Sequence, residues 1–168
     1  MYMITKVSTE SIPLIQQLSK EIWNKVYPSI ISHEQIDFML NMMYSNASLE
    51  KQMLEQGHQF MVVFLDDEAV GFASYSVKSG SEPSVFRLNK LYLQPEHHGK
   101  GLGKSLLKFI MEEVKPLGGE YLELNVNKEN PTVDFYKKQG FSITAETVLE
   151  IGHGYLMDDY IMTLKIAE

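Results

Sequence analysis

Leu91-Tyr92-Leu93-Gln94-Pro95-Glu96-His97-His98-Gly99-Lys100-Gly101-Leu102-Gly103-Lys104 is the stretch that decides how this chain is read. Its opening apolar residues predict the end of a strand, Pro95 turns the chain into a loop, and alternate glycines open an amphipathic helix. The first turn of a helix carries backbone N–H groups without intrahelical acceptors, at the positive end of the dipole. Glycines let such a backbone wrap closely around an anion, and Lys100 and Lys104 add positive charge. Three alternating glycines weaken a helix start that has nothing to bind. The stretch therefore predicts an anion cradle, most economically for a diphosphate.

Spacing separates the known kinds of glycine cradle. A P-loop needs a glycine five residues before its Gly-Lys-Ser. Gly103-Lys104-Ser105 supplies the tail, but the required position holds His98. The dinucleotide pattern G-x-G-x-x-G fails as well, since Gly99 and Gly101 are followed by Lys104, and Gly101 and Gly103 by Leu106. That pattern also belongs to a first βα turn followed by an acidic residue on the next strand.

Working outward, the first third reads helical after a short strand over residues 4–7. Ser11 is a candidate N-cap with Pro13 in the first turn, and Leu14, Leu18, Ile22 and Val26 follow at spacing four. Ser32 and Gln35 form a capping-box pattern opening a second helix through Ile36, Met39, Leu40 and Met43. A third helix is expected over residues 49–56, stopped by Gly57. The period then changes to that of strands, expected over 60–65, 70–77 and 85–93, with Gly71 marking a kink or close backbone approach. Turns fall at 66–68 and 79–83. The helix after the glycine turn is expected over 101–114, with Leu102, Leu106, Phe109, Ile110 and Val114 inward. A strand over 121–126, a short helix over 131–138 and strands over 141–149 and 156–166 complete the chain. This is an α+β pattern, a mixed sheet of about seven strands flanked by helices.

Composition narrows the function. Of 168 residues 44% are hydrophobic, enough for an ordinary globular core, and none is cysteine. Disulfides, thiolate metal sites and cysteine nucleophiles are thereby excluded. The formal net charge of -7, from 15 basic and 22 acidic residues, argues against a nucleic-acid partner. No apolar run reaches the roughly 18–20 residues of a membrane helix. Residues 1–6 lack the charged-then-apolar pattern of a signal peptide, so the cytoplasm is the expected compartment. His33-Glu34 has no second histidine at the zinc-protease spacing and no metal site is expected. The 10 methionines read as core filler, with Met39, Met42 and Met43 candidates for lining an adaptable acceptor site.

A strand followed by (Gln or Arg)-x-x-Gly-x-(Gly or Ala) at a helix start resembles the acetyl-CoA signature of the GCN5-related N-acetyltransferases, the GNAT family. Gly101 and Gly103 occupy its glycine positions, and His98 stands where glutamine or arginine is usual. A second motif, Asn130-Pro131-Thr132-Val133-Asp134-Phe135-Tyr136-Lys137-Lys138-Gln139-Gly140-Phe141, resembles the family's second cofactor segment. Asn130 lies six residues before Tyr136, where seven is usual, and Glu129 fills the seventh place. The resemblance covers about residues 60–166. The closing segment, residues 151–162, resembles the last hairpin of a PaiA-like subgroup, some of whose members acetylate spermidine and spermine.

The resemblance implies a single GNAT domain over residues 1–168. Residues 1–58 form its mostly helical acceptor side, 59–114 its strands with the diphosphate turn and helix, and 115–168 its closing strands and short helix. It implies acetyl-CoA as co-substrate, with no metal. The pantetheine arm lies along Leu91, Tyr92 and Leu93. The diphosphate sits on Gly99, Lys100, Gly101, Leu102, Gly103 and Lys104, with His98 and Asn130 as further cofactor contacts. Tyr136 is implied as the general acid toward the leaving thiolate. An alkylamine acceptor arrives protonated and needs a base. Glu123, facing away from its apolar neighbours, is the candidate. Glu21 and Glu34 are candidates for gripping a cationic acceptor, and Trp23 and Tyr27 are either an aromatic wall or core. The expected activity is acetyl transfer by direct attack of a primary amine, on a small amine such as a polyamine. Protein or peptide N-terminal acetylation and a non-catalytic acyl-CoA sensor remain the alternatives, and a homodimer is compatible with the family.

Overall fold

A computed structural model describes residues 1–80 and 84–166. The strands are β1 (Tyr2–Val7), β2 (Gln59–Leu65), β3 (Glu68–Val77), β4 (Val85–Leu93), β5 (Tyr121–Asn127), β6 (Ser142–Gly152) and β7 (Tyr155–Lys165). The helices are α1 (Ile12–Val26), α2 (His33–Tyr44), α3 (Asn46–Leu54), α4 (Leu102–Val114) and α5 (Thr132–Lys138). The strands form one seven-stranded sheet in the order β1-β2-β3-β4-β5-β7-β6. The loop expected over 79–83 falls partly on residues 81–83, which lie outside the described residues. The described chain clusters into two compact units, Met1–Ser76 with Lys90–Ile110, and Val77–Asn89 with Met111–Glu168.

In the first unit β2 shows no alternation because Phe60, Met61, Val62 and Val63 are all fully buried, as in a strand covered on both faces. It pairs antiparallel with β1 from Tyr2↔Leu65 to Val7↔Phe60, and with β3. Asp66 and Asp67, both in left-handed backbone, make the tight two-residue turn into β3. Gly71 is a point of close approach, since a Cβ there would collide with the Tyr92 carbonyl oxygen and the Leu93 side chain. The buried face of α1 runs through Ile12, Ile15, Leu18, Ile22 and Trp23. Leu14 and Val26, expected on that face, are half-buried. A strict spacing of four drifts about 40° per step, so its ends leave the face that 3.6 residues per turn defines. The helix expected over 49–56 begins at Asn46, because Ser45 Oγ accepts the Ser48 amide at 3.2 Å and caps it. Ser32 Oγ caps α2 as expected, accepting the Gln35 amide at 3.1 Å. On α4, Leu107 is buried where Phe109 was expected, and Phe109 is half-buried.

In the second unit β4 and β5 pair in parallel from Val85↔Tyr121 to Leu88↔Leu124, while β4 continues to Leu93 and β5 to Asn127. β5 pairs antiparallel with β7, and β7 with β6. Phe86, Leu88, Leu122, Leu124, Val126 and Met162 are buried. β6 closes the edge of the sheet with eight of its eleven residues exposed. Among the described residues no helix is long and apolar enough to cross a membrane.

Candidate active site

The glycine turn is assembled by the fold as an open backbone surface. Gly99 and Gly101 adopt φ of +80° and +79°, and no atom lies within 4 Å of where a Cβ would stand at either. These are left-handed conformations that a branched side chain adopts only under strain. Gly101 O accepts from the Ser105 amide and from Ser105 Oγ, each at 3.0 Å, which starts α4 at Leu102. The amides of Leu102, Gly103 and Lys104 therefore belong to the first turn, whose N–H groups have no acceptor within the helix. Lys100 and Lys104 are exposed beside them. First-turn amides beside open, left-handed glycines are the kind of surface on which a diphosphate can be bound.

His98 is exposed, and its Nε2 lies 3.0 Å from Leu93 O, tying the loop back to the end of β4. Leu91 and Tyr92 are half-buried and Leu93 is buried. The Tyr92 ring packs among Trp23, Phe72 and Tyr27, at centroid distances of 5.7, 5.6 and 6.5 Å. Trp23 and Tyr27 are buried members of this aromatic cluster, so of the two readings given above they take the core one. Tyr27 OH and Tyr92 OH lie 3.3 Å apart.

Two polar features of the first unit were not foreseen as partners. Gln94 is buried, donates to Glu21 at 2.7 Å and accepts from Lys25 Nζ at 2.8 Å, so Glu21 is held by a neutral amide. Lys90 is buried in β4, donates to Gln52 Oε1 at 2.7 Å and lies 5.5 and 5.4 Å from the ring centroids of Tyr44 and Phe60. Burial lowers its pKa to about 8, and burial together with Lys90 lowers that of His58 to about 4. Glu34 is exposed in the first turn of α2, Met39 is buried, Met43 is half-buried and Met42 is exposed.

In the second unit Glu123 faces away from its apolar neighbours as expected, but it is fully engaged. It accepts from an Arg87 guanidinium nitrogen through a short contact and from Lys78 Nζ at 3.1 Å. Burial works to raise its pKa, yet the hydrogen bonds from Lys78 and Arg87 outweigh it, leaving the carboxyl below its ordinary value. A carboxylate so held is a poor proton acceptor. Arg87 also donates to Asn125 Oδ1. Asn130 Oδ1 accepts from the Thr132 amide at 2.9 Å and from Thr132 Oγ1 at 2.8 Å, so the side chain opens α5 from outside its first turn. Tyr136 is buried between Phe135 and Phe141, at centroid distances of 5.2 and 5.4 Å. Gly140, at φ +100°, lets the Phe141 amide return to Tyr136 O at 3.0 Å, which seats the aromatic pair.

A family profile described as an acetyltransferase (GNAT) domain matches residues 28–157. The chain belongs to the GNAT family. Spermidine N1-acetyltransferase of Thermoplasma acidophilum is 28% identical over 145 residues, covering 83% of this chain and 88% of that one. The crystal structure of the PaiA N-acetyltransferase of the same organism, in complex with coenzyme A, superposes with a TM-score of 0.79 at 26% identity, over 98% of this chain and 99% of that one. The ribosomal-protein-S18-alanine N-acetyltransferase of Escherichia coli shares the fold, with a TM-score of 0.72 at 18% identity over 100% and 96% of the two chains. Family membership makes the chain an N-acetyltransferase that uses acetyl-CoA and acts on an amine acceptor.

Proposed function

We propose that the enzyme transfers the acetyl group of acetyl-CoA to a primary amine of a small cationic acceptor, a polyamine. The observation that carries the acceptor class is the 28% identity to a spermidine N1-acetyltransferase over most of both chains. The likeness to the ribosomal-protein enzyme lies in the fold alone and brings no acceptor with it. A net charge of -7 favours approach of a polycation.

Acetyl-CoA supplies an activated acyl group as its thioester. In this reading the amides opening α4, with Gly99 and Gly101, bind the diphosphate, while Lys100 and Lys104 add charge. Main-chain groups of Leu91, Tyr92 and Leu93 would hold the pantetheine arm, and a main-chain N–H there would polarise the acyl carbonyl. Such a donor counts most where negative charge develops. Tyr136 gives a proton to the departing sulfur. A phenol near pKa 10 protonates the thiolate of a thiol near 8.5 at modest cost. His98 braces the loop and Asn130 sets the start of α5, so each supports the cofactor segments through local structure.

The test is thiol release from acetyl-CoA with a panel of polyamines, amino acids and peptides. Turnover confined to polyamines is the expected result. Turnover on peptide N-termini alone replaces the acceptor, and tight coenzyme A binding without turnover on any amine makes the chain a sensor.

A further inference from the structure

An acceptor ammonium with a pKa near 10 must lose a proton before nitrogen can attack. The second unit holds two carboxylates on adjoining strands, Glu123 half-buried and Asp159 buried, and their surroundings differ. Glu123 is neutralised by Arg87 and Lys78, as described above. Asp159, on β7, is 4% exposed. It stands in register with Asn127 of β5 and Thr147 of β6. Asn127 is the last residue of β5, past Leu124, where the parallel pairing with β4 ends. The carboxyl ends of parallel strands are where such sheets bind their ligands.

We infer that Asp159 receives the acceptor ammonium and takes its proton in the acetyl transfer. The inference rests on the N-acetyltransferase reading above and assigns it a base. An N–H bond of the ammonium breaks and its proton passes to a carboxylate oxygen of Asp159. The freed lone pair forms the N–C bond to the acyl carbon, and the C–S bond breaks with its electron pair on sulfur. The sulfur then takes a proton, in the proposed scheme from Tyr136, and Asp159 returns its own to solvent. The charge environment suits the role. Burial raises the proton affinity of Asp159, a hydrogen bond from Asn125 opposes it, the neighbouring Asp158 adds to it, and Arg87 of β4 and Lys128 after β5 oppose it. The net direction is upward. β6 faces it with Thr147, which does not titrate. Of the two carboxylates, Asp159 is the one whose surroundings raise its proton affinity, while those of Glu123 lower it.

The test is the pH profile of kcat/KM for a polyamine, read beside coenzyme A affinity and thermal stability. Asp159→Asn is expected to lower kcat/KM roughly 10²- to 10⁴-fold and to flatten the acid limb, with coenzyme A affinity unchanged. Asp159→Glu is expected to restore part of the rate and the limb. Full activity with an unmoved acid limb in Asp159→Asn overturns the inference. Should Asp159→Asn fail to fold, Asn125→Ala decides. It removes a bond that favours the charged carboxyl, so the acid limb must move to higher pH, and an unmoved limb overturns the inference. Wild-type enzyme that turns over no polyamine refutes the acceptor reading itself, a result separate from any variant.

Discussion

The turn over residues 99–104 and the polar face of β4, β5 and β7, the two regions we propose as ligand sites, are built by opposite means. The turn works with its main chain: two left-handed glycines and the first-turn amides of α4 form its surface. The strand face is built of side chains: Arg87, Glu123, Asn125 and Asp159, with Lys78 reaching Glu123 from the loop after β3, differ in charge and burial, and the proposed roles rest on those differences. The contrast teaches where substitution is tolerated. In a surface built of amides a side chain can serve the backbone, as His98 does by bracing the loop against Leu93 O. A site built of side chains has no such latitude.

The largest expected effect falls on the side chain proposed as the general acid. Tyr136→Phe is expected to lower kcat about 10³-fold, within the range for loss of a general acid, with coenzyme A affinity nearly intact. Steady-state thiol release and calorimetry check the two halves, and unchanged turnover removes Tyr136 as the acid. Next comes Lys90, the buried cation that mirrors Asp159. Its folded pKa of about 8 lies below its ordinary 10.5, so burial of the ammonium costs stability below pH 8 and the cost is relieved as pH rises toward 10.5. The shift corresponds to a rise on the order of 3 kcal/mol over that window. Chemical denaturation at pH 8 and pH 10 is expected to show this rise in wild type and to lose it in Lys90→Met.

Smaller effects test the main-chain half of the comparison. Gly101→Val is expected to weaken coenzyme A binding about tenfold, since a β-branched residue at φ +79° is strained and places methyl groups over the cradle. Unaltered affinity by calorimetry refutes the placement of the diphosphate. Smallest is Glu123→Gln, which loses its charge toward Arg87 and Lys78 at a cost of about 1 kcal/mol after allowance for solvent screening. Its pH profile is expected to match that of wild type, and a lost acid limb there would return the base to Glu123.

The parts of this site legible in the sequence are those where the backbone itself demands a residue type. Gly99, Gly101 and Gly140 each sit at positive φ, and β4 runs over the expected residues 85–93 because turn residues bound it on both sides. The cap at Ser45 was missed because a serine hydroxyl leaves no trace in hydrophobic period, although Ser45-x-x-Ser48 was present as a signal. Lys90 read as a polar interruption of a strand. Its burial depends on Gln52, 38 residues earlier, and on the rings of Tyr44 and Phe60. Glu123 was located correctly with respect to its face, but its neutralisation by Arg87 and Lys78 depends on strand neighbours that no local pattern specifies. Asp159 lies inside the closing segment, residues 151–162, with nothing in the sequence to distinguish it from Asp158. Only the register against Asn127 and the packing around it separate the two.

The outermost strand carries a practical lesson for handling the purified enzyme. β6 ends the sheet with Ile143, Val148 and Leu149 largely uncovered, and a bare strand edge is a template on which another chain can extend the ladder. Glu150 is a charge along that strand, while Glu146 is paired with Lys128. Association through this edge rises with concentration, so the purified enzyme is best kept dilute.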